Sequence, residues 1–388
     1  MSQAWLHMGP QHPVNHGLWT LKVLTDGENI VDAECLLGYL HRCFEKISEN
    51  RLYRQFIPIT NRMCYVAGLS QAYGFVHAVE QALGITDEIP ERAQYIRTIT
   101  LEMQRIASHL VWLAAFASDA GNWAMLLFPF RDREYFLDIL DHLTGARMMY
   151  NYMRIGGVAK DLYPGFEEDL LTCCDYFDDR LPEYYNMLDK SEVFLMRCRK
   201  IGILPKDEAI NRGATGPVLR ASGVKSDIRK IEPYAAYDRM KFDIPVRESG
   251  DNLARYEVRI DELKESVRII RQALDELPQG EVAMRVPRRV PPTTVYSRIE
   301  DPRGELGYYL ITGDRNGKKK DEEPAKPPSV LNAPEYEFKP SSSPWRCKIR
   351  SGAFSNLSIS PYLIIGGKLA DLPMVVASVD LCMGEIDR

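Results

Sequence analysis

Residues 92–115 read RAQYIRTITLEMQRIASHLVWLAA. Ile96, Ile99, Met103, Ile106, Leu110 and Leu113 recur at alternating steps of three and four, the period that lines apolar side chains along one face of an α-helix. Arg97, Glu102 and Arg105 fall off that stripe. Pro90 stands just ahead of it, where proline is welcome because its missing N–H would be unpaired in the first turn anyway. A second stripe, Tyr256, Ile260, Leu263, Val267, Ile270 and Leu274, has Asp251 or Asn252 as its cap and ends before Pro278-Gln279-Gly280. Further helices are expected over 60–83, 131–152 and 166–188. Two long helices with such regular stripes need partners, so the spacing predicts a central helical bundle.

The ends of the chain carry a different period. Leu21-Lys22-Val23-Leu24 and Ile30-Val31-Asp32-Ala33, joined through Asp26-Gly27, read as a hairpin. After Pro291-Pro292, the runs 293–299 and 306–311 read as strands around the turn Asp301-Pro302-Arg303-Gly304. The expected fold class is α+β, mainly α, with small β regions at both ends of a helical bundle. One integrated unit is expected, divided into 1–58 (N-terminal β region), 59–290 (helical bundle) and 291–388 (C-terminal β region). Residues 314–343 hold Lys318-Lys319-Lys320-Asp321-Glu322-Glu323, several prolines and Ser341-Ser342-Ser343, too little apolar surface to bury, and read as a surface insertion.

Composition narrows the function. The chain has 388 residues, with 49 Lys and Arg against 54 Asp and Glu. A net charge of −5 offers no basic stripe for displacing counterions, which argues against a nucleic-acid binder. The longest apolar run, Leu110 to Ala117, is far short of the roughly 20 residues that span a bilayer. No cationic and apolar leader opens the chain, and the expectation is a soluble, cytosol-facing protein. The eight cysteines include no CxxC pair and read as reduced structural thiols.

Three constellations could carry chemistry. Met8-Gly9-Pro10-Gln11-His12-Pro13-Val14-Asn15-His16-Gly17 sets two histidines in a Gly/Pro-bounded loop. As a metal site it is poor, because zinc takes three or four protein ligands and Pro13 denies the helix that would align the two rings. Two readings stay open on spacing: a structural loop, or a loop holding an imidazole at a cavity mouth, where it can exchange a proton near neutral pH. The others are Gly38-Tyr39-Leu40-His41-Arg42-Cys43-Phe44-Glu45-Lys46 and Asn61-Arg62-Met63-Cys64-Tyr65-Val66-Ala67.

Together, GPQHPxxHG, GYLHRxxEK and RxxY at these intervals resemble the hydrogenase-like, 49-kDa-class large subunit of the peripheral arm of respiratory complex I. The likeness continues through residues 143–147, 154–158, 216–220 and 301–307 and ends with Gly384-Glu385-Ile386-Asp387-Arg388. It covers the chain apart from 314–343 and implies a fold related to [NiFe]-hydrogenase large subunits. Such a metal site needs two CxxC pairs. Here they read Cys64-Tyr65-Val66-Ala67 and Cys382-Met383-Gly384-Glu385, so one thiolate of each pair is missing and no metal is expected.

What the resemblance implies instead is a quinone-reduction site, working only in a proton-pumping NAD(P)H- or ferredoxin-driven oxidoreductase. The headgroup would lie between Tyr65 and His16, with Asp119 as partner to the histidine. A quinone taking two electrons must gain two protons, and a phenol and an imidazole can each supply one. His12 belongs to the same loop, and Arg42 and Arg62 would lie near a [4Fe-4S] cluster held by a neighbouring iron–sulfur subunit. Further implied partners are other peripheral-arm subunits and a membrane-arm subunit at the quinone entrance, on the cytoplasmic side of a cell or thylakoid membrane. Ubiquinone-using relatives tend to have histidine where this chain has Met149, which implies menaquinone or plastoquinone. The rival readings are the large subunit of a hydrogenase-related membrane complex and a catalytically silent scaffold relative.

Overall fold

The stripe on residues 92–115 forms one helix, Glu91–Asp119, with Pro90 at its N-cap. The computed structural model that shows it describes residues 3–13, 15–315 and 338–388; residues 316–337 of the expected insertion lie outside the described residues. Glu91–Asp119 is the central helix. Packed against it are Ala124–Thr144, Asn252–Asp275 and the short helix Leu372–Val379. All six apolar residues of each stripe are buried. Asp251 is the N-cap of Asn252–Asp275, its Oδ1 accepting from the Ala254 N–H at 2.9 Å.

Two expected helices have other boundaries, and one is broken. The 131–152 segment is Ala124–Thr144, which accommodates Pro129 near its start and stops at Gly145, φ +82°. The 60–83 segment divides into Tyr53–Thr60 and Gly68–Leu83. At the break Asn61 turns inward and its Nδ2 donates to the Tyr150 carbonyl at 2.6 Å. Phe166–Leu188 is found where periodicity places it.

At the N-terminus, Ala4–Met8, Thr20–Asp26 and Asn29–Leu36 form an antiparallel sheet in that order, Leu21 opposite Cys35 and Val23 opposite Ala33. Near the other end, Thr294–Asp301 and Gly304–Ile311 pair about a two-residue turn, Pro302-Arg303, and Arg346–Arg350 adds to the second strand. Past that sheet come four helices that no periodicity announces: Gly352–Leu357, Ser360–Ile364, Leu372–Val379 and Met383–Asp387. Elements this short span too few turns to print a stripe. They bring the two ends of the chain together, because Trp19, Leu21, Val23 and Ile30 share one apolar cluster with Leu357, Ile364, Val375, Val376 and Met383.

The polar side of the central helix does not face water. Arg97, Glu102, Arg105 and His109 are all buried. Arg97 Nη2 meets Glu80 Oε1 at 2.6 Å. Glu102 accepts from Arg229 at 3.0 Å, Ser266 at 2.6 Å and Tyr237 at 2.5 Å. Glu262 accepts from Arg220 Nη2 at 2.5 Å and from His109 Nε2 at 2.9 Å. Burial alone would raise Glu102 and Glu262, but Arg105 and Arg229 hold the first carboxylate, and Arg220 and His109 the second, below the usual range.

Removing one partner of a desolvated pair leaves the other charge uncompensated. Glu262→Gln is therefore expected to destabilise the full chain by about 3 kcal/mol or more in denaturant unfolding. Arg247→Ala, which removes the surface pairs to Glu257 and Asp261, is expected to cost about 1 kcal/mol or less. Equal effects would contradict this picture of the bundle.

Candidate functional site

The loop between Met8 and Thr20 is fixed at four points. Asn15 Nδ2 donates to the Met8 and Trp19 carbonyls, at 2.9 and 2.6 Å. The fully buried Trp19 anchors the loop in the cluster joining the two chain ends. Gly9 has φ +125°, and a Cβ there would lie 2.2 Å from the Trp19 carbonyl oxygen; only glycine fits such a close approach. Gly17, next to His16, rests on Met383, whose Cγ would be 2.5 Å from an added Cβ.

Held in this way, His16 reaches the end of the central helix. Its Nε2 lies 2.8 Å from Asp119 Oδ2, joining residues 103 apart in sequence. Asp119 is the last residue of Glu91–Asp119, and its carbonyl accepts from Arg197 Nη1 at 2.5 Å. His12 is half-buried in the same loop, and its carbonyl accepts from the Asn15 N–H at 2.9 Å.

Tyr65 sits in the break between Tyr53–Thr60 and Gly68–Leu83. Its neighbours Cys64 and Val66 are buried, while Tyr65 itself is 48% exposed. Partial burial raises its phenol, and the nearby Cys382 and Cys64 add to the effect. Beneath it the two remnants of the CxxC pattern meet: ligand atoms of Cys64, Cys382 and Glu385 all lie within 4.8 Å of one another. Arg303 reaches into this group, with Nη1 donating to Cys64 Sγ and to Ser108 Oγ, each at 3.3 Å, and Nη2 to Asp380 at 3.0 Å. Glu385 accepts from Gln71 Nε2 at 3.0 Å, and burial pushes its carboxyl well above the usual range. A hydrogenase-type centre needs four soft thiolates; this donor set has two sulfurs and a carboxyl group, with a guanidinium already bonded to one sulfur.

Arg42 and Arg62 are neighbours on the surface. Arg42 Nη2 donates to the Arg62 carbonyl at 2.7 Å and its guanidinium lies 4.7 Å over the Phe44 ring, while Arg62 donates to the Pro58 carbonyl. Neither has a carboxylate partner among the described residues.

Sequence reasoning misses Arg303, Asp380, Ser108 and Arg197. Arg303 is visible there only within a turn and a family motif, and the partners that give its side chain a role are distant in sequence.

Residues 119–292 and 338–388 match the family described as respiratory-chain NADH dehydrogenase, 49 kDa subunit. The chain belongs to that family. Residues 42–118, which include Cys64 and Tyr65, match the nickel-dependent hydrogenase family. An NADH-quinone oxidoreductase subunit from Dehalococcoides mccartyi is 42% identical over 386 residues, covering 99% of this chain and 98% of the relative. A chloroplast NAD(P)H-quinone oxidoreductase subunit from Angiopteris evecta is also 42% identical, over 98% of this chain and 96% of the relative. Among solved structures, a chain of the membrane-bound sulfane sulfur reductase, an archaeal respiratory membrane complex, superposes with a TM-score of 0.89 at 31% identity, covering 100% of this chain and 98% of that one.

The loop geometry gives a direct test. Gly9→Ala forces a Cβ against the Trp19 carbonyl at a left-handed φ, a strain of about 1–3 kcal/mol. A lowered unfolding midpoint and faster proteolysis within residues 9–19 are expected. Wild-type values for both would show that the loop is not held by this contact.

Proposed function

We propose that the chain forms the quinone-reduction site of a proton-pumping NAD(P)H- or ferredoxin-dependent quinone oxidoreductase, together with a neighbouring iron–sulfur subunit. The carrying observation is the 2.8 Å contact between His16 and Asp119. It seats a loop imidazole on the end of the central helix, leaving its other ring nitrogen to face a ligand. The names of the 42%-identical relatives support the reaction class, and they favour it over a hydrogenase-related complex or a silent scaffold.

The chemistry follows from the atoms available. Reduction gives the quinone two electrons, and each oxygen then needs a proton. Tyr65 supplies one from a phenol that burial keeps protonated until the charge on a reduced headgroup draws the proton away. His16 supplies the other. Its Nε2 faces Asp119, so the N–H offered to the headgroup is on Nδ1. The ring carries both N–H groups only as imidazolium, whose charge the Asp119 carboxylate balances. After donation that charge balance changes, which is a means of signalling to a membrane arm.

The surface cations Arg42 and Arg62 belong, in this proposal, against the [4Fe-4S] cluster of the partner, where positive charge favours the reduced state. His12 lines the same approach. Other peripheral-arm subunits and a membrane-arm subunit at the quinone entrance complete the site. Exposed Trp123, Val193 and Met196 support docking to a membrane arm, since they flank Asp119 and Arg197. No described helix is long and apolar enough to cross a membrane; the peripheral position proposed, on the cytoplasmic side of a cell or thylakoid membrane, draws on the relatives named for membrane and chloroplast complexes. Met149, with φ +59°, puts no titrating group beside the cluster, and we assign menaquinone or plastoquinone rather than ubiquinone as the acceptor.

In the assembled complex, Tyr65→Phe is expected to lower kcat for quinone reduction by roughly 100-fold or more while the cluster still accepts electrons from the donor. Unchanged turnover would overturn the role of Tyr65. For the acceptor, a redox titration of the cluster in the wild-type complex is expected to be nearly independent of pH, and Met149→His to introduce a slope. A strong slope in the wild type would contradict the assignment.

A further inference from the structure

The group beneath Tyr65 has a chemistry that the quinone proposal does not use. Cys64 and Cys382 come from opposite ends of the chain, yet both sulfurs lie in one cluster with the Glu385 carboxyl. Arg303, a permanent cation, donates to Cys64 Sγ at 3.3 Å. Two adjacent thiols, one of them hydrogen-bonded to a guanidinium, form an environment that supports one thiolate and one thiol. We propose that Cys382 and Cys64 are a redox-active pair, a modification site at which a hydroperoxide joins the two sulfurs as a disulfide.

The roles of the two cysteines differ. The adjacent Cys64 thiol and the charge of Arg303 draw Cys382 down to about 7, while burial pushes Cys64 well up. Cys382 is thus the nucleophile and Cys64 the resolving thiol. The surroundings of other cysteines are different: burial pushes Cys198 and Cys347 up to about 12. Cys382 is also the more exposed of the pair, at 5% against 0%, and the half-open Tyr65 stands beside it as the route for a small oxidant.

The steps balance. The Cys382 thiolate attacks one peroxide oxygen; an S–O bond forms, the O–O bond breaks, and the leaving oxygen takes up a proton as water or alcohol. The Cys64 sulfur then attacks the sulfenic sulfur; the S–S bond forms, the S–O bond breaks, and hydroxide leaves with the Cys64 proton as water. Two thiols have lost two electrons to the peroxide. The sulfurs must close to about 2 Å, which draws the segment before Tyr65 toward the segment carrying Met383, on which Gly17 and the His16 loop rest. The negative charge that Arg303 favours on Cys382 is removed at the same time. The pair's chemistry holds whether or not Tyr65 meets a quinone.

The test is peptide mass spectrometry on the assembled complex, prepared reduced, exposed to hydrogen peroxide, alkylated and digested without reductant. The expected result is a peptide linking Cys64 to Cys382, loss of free thiol at both, and recovery of both after dithiothreitol. In Cys64→Ser, which lacks the resolving thiol, dimedone is expected to tag Cys382 as the sulfenic acid. Cys382 remaining a free thiol, advancing to the sulfinic acid in the wild type, or pairing with another cysteine such as the exposed Cys43 would each overturn the proposal.

Discussion

The architecture depends on a set of charges that have been taken out of water and must therefore find each other. Arg220 is the hub. Its guanidinium binds Glu262 on helix Asn252–Asp275 and Glu300 on strand Thr294–Asp301, and Glu262 in turn holds His109 on the central helix. Buried ion pairs add little net stability compared with apolar packing, but a mispaired arrangement leaves a bare charge in low dielectric. That penalty selects one register between the bundle and the C-terminal sheet.

The register then reaches the site. Glu300 lies next to Asp301, and the turn that follows presents Arg303, which bonds to Cys64 and Asp380. Asp380 opens the short stretch leading to Cys382, Met383 and Glu385. Met383 supports Gly17, and the loop at Gly17 places His16 on Asp119. A buried pair deep in the bundle and the half-exposed residues at the surface are thus parts of one chain of contacts. The glycines of the loop act by close approach: Gly9 lets the backbone pass Trp19, and the helix end supplies a carboxylate at a fixed place.

Much of this is legible in the sequence. The stripe from Ile96 to Leu113 has the helical period, and the runs around Asp26-Gly27 and Pro302-Arg303 have the β signal, so the bundle and its β ends are readable. His16, Asp119 and Tyr65 come from the family resemblance, and spacing alone leaves the His12–His16 loop undecided. Arg97, Glu102 and Arg105 read as the polar side of an amphipathic helix. They are instead buried, because Glu80, Arg229 and Glu300 come to meet them from other elements. A single helix cannot show that its polar face has partners. The break at 61–67 is hidden because its apolar residues keep helical spacing while the backbone turns to place Cys64 and Tyr65. The role of Arg303 is hidden for the same reason as the pairing of Glu102: its partners are tertiary.

The most direct measurement is the structure of the assembled complex with a quinone bound. The headgroup is expected between Tyr65 and His16, one carbonyl oxygen within hydrogen-bond reach of the phenol and the other facing His16 Nδ1, with Asp119 still on Nε2. A headgroup seated away from both residues, or a His16 withdrawn from Asp119 while quinone is bound, would contradict the account.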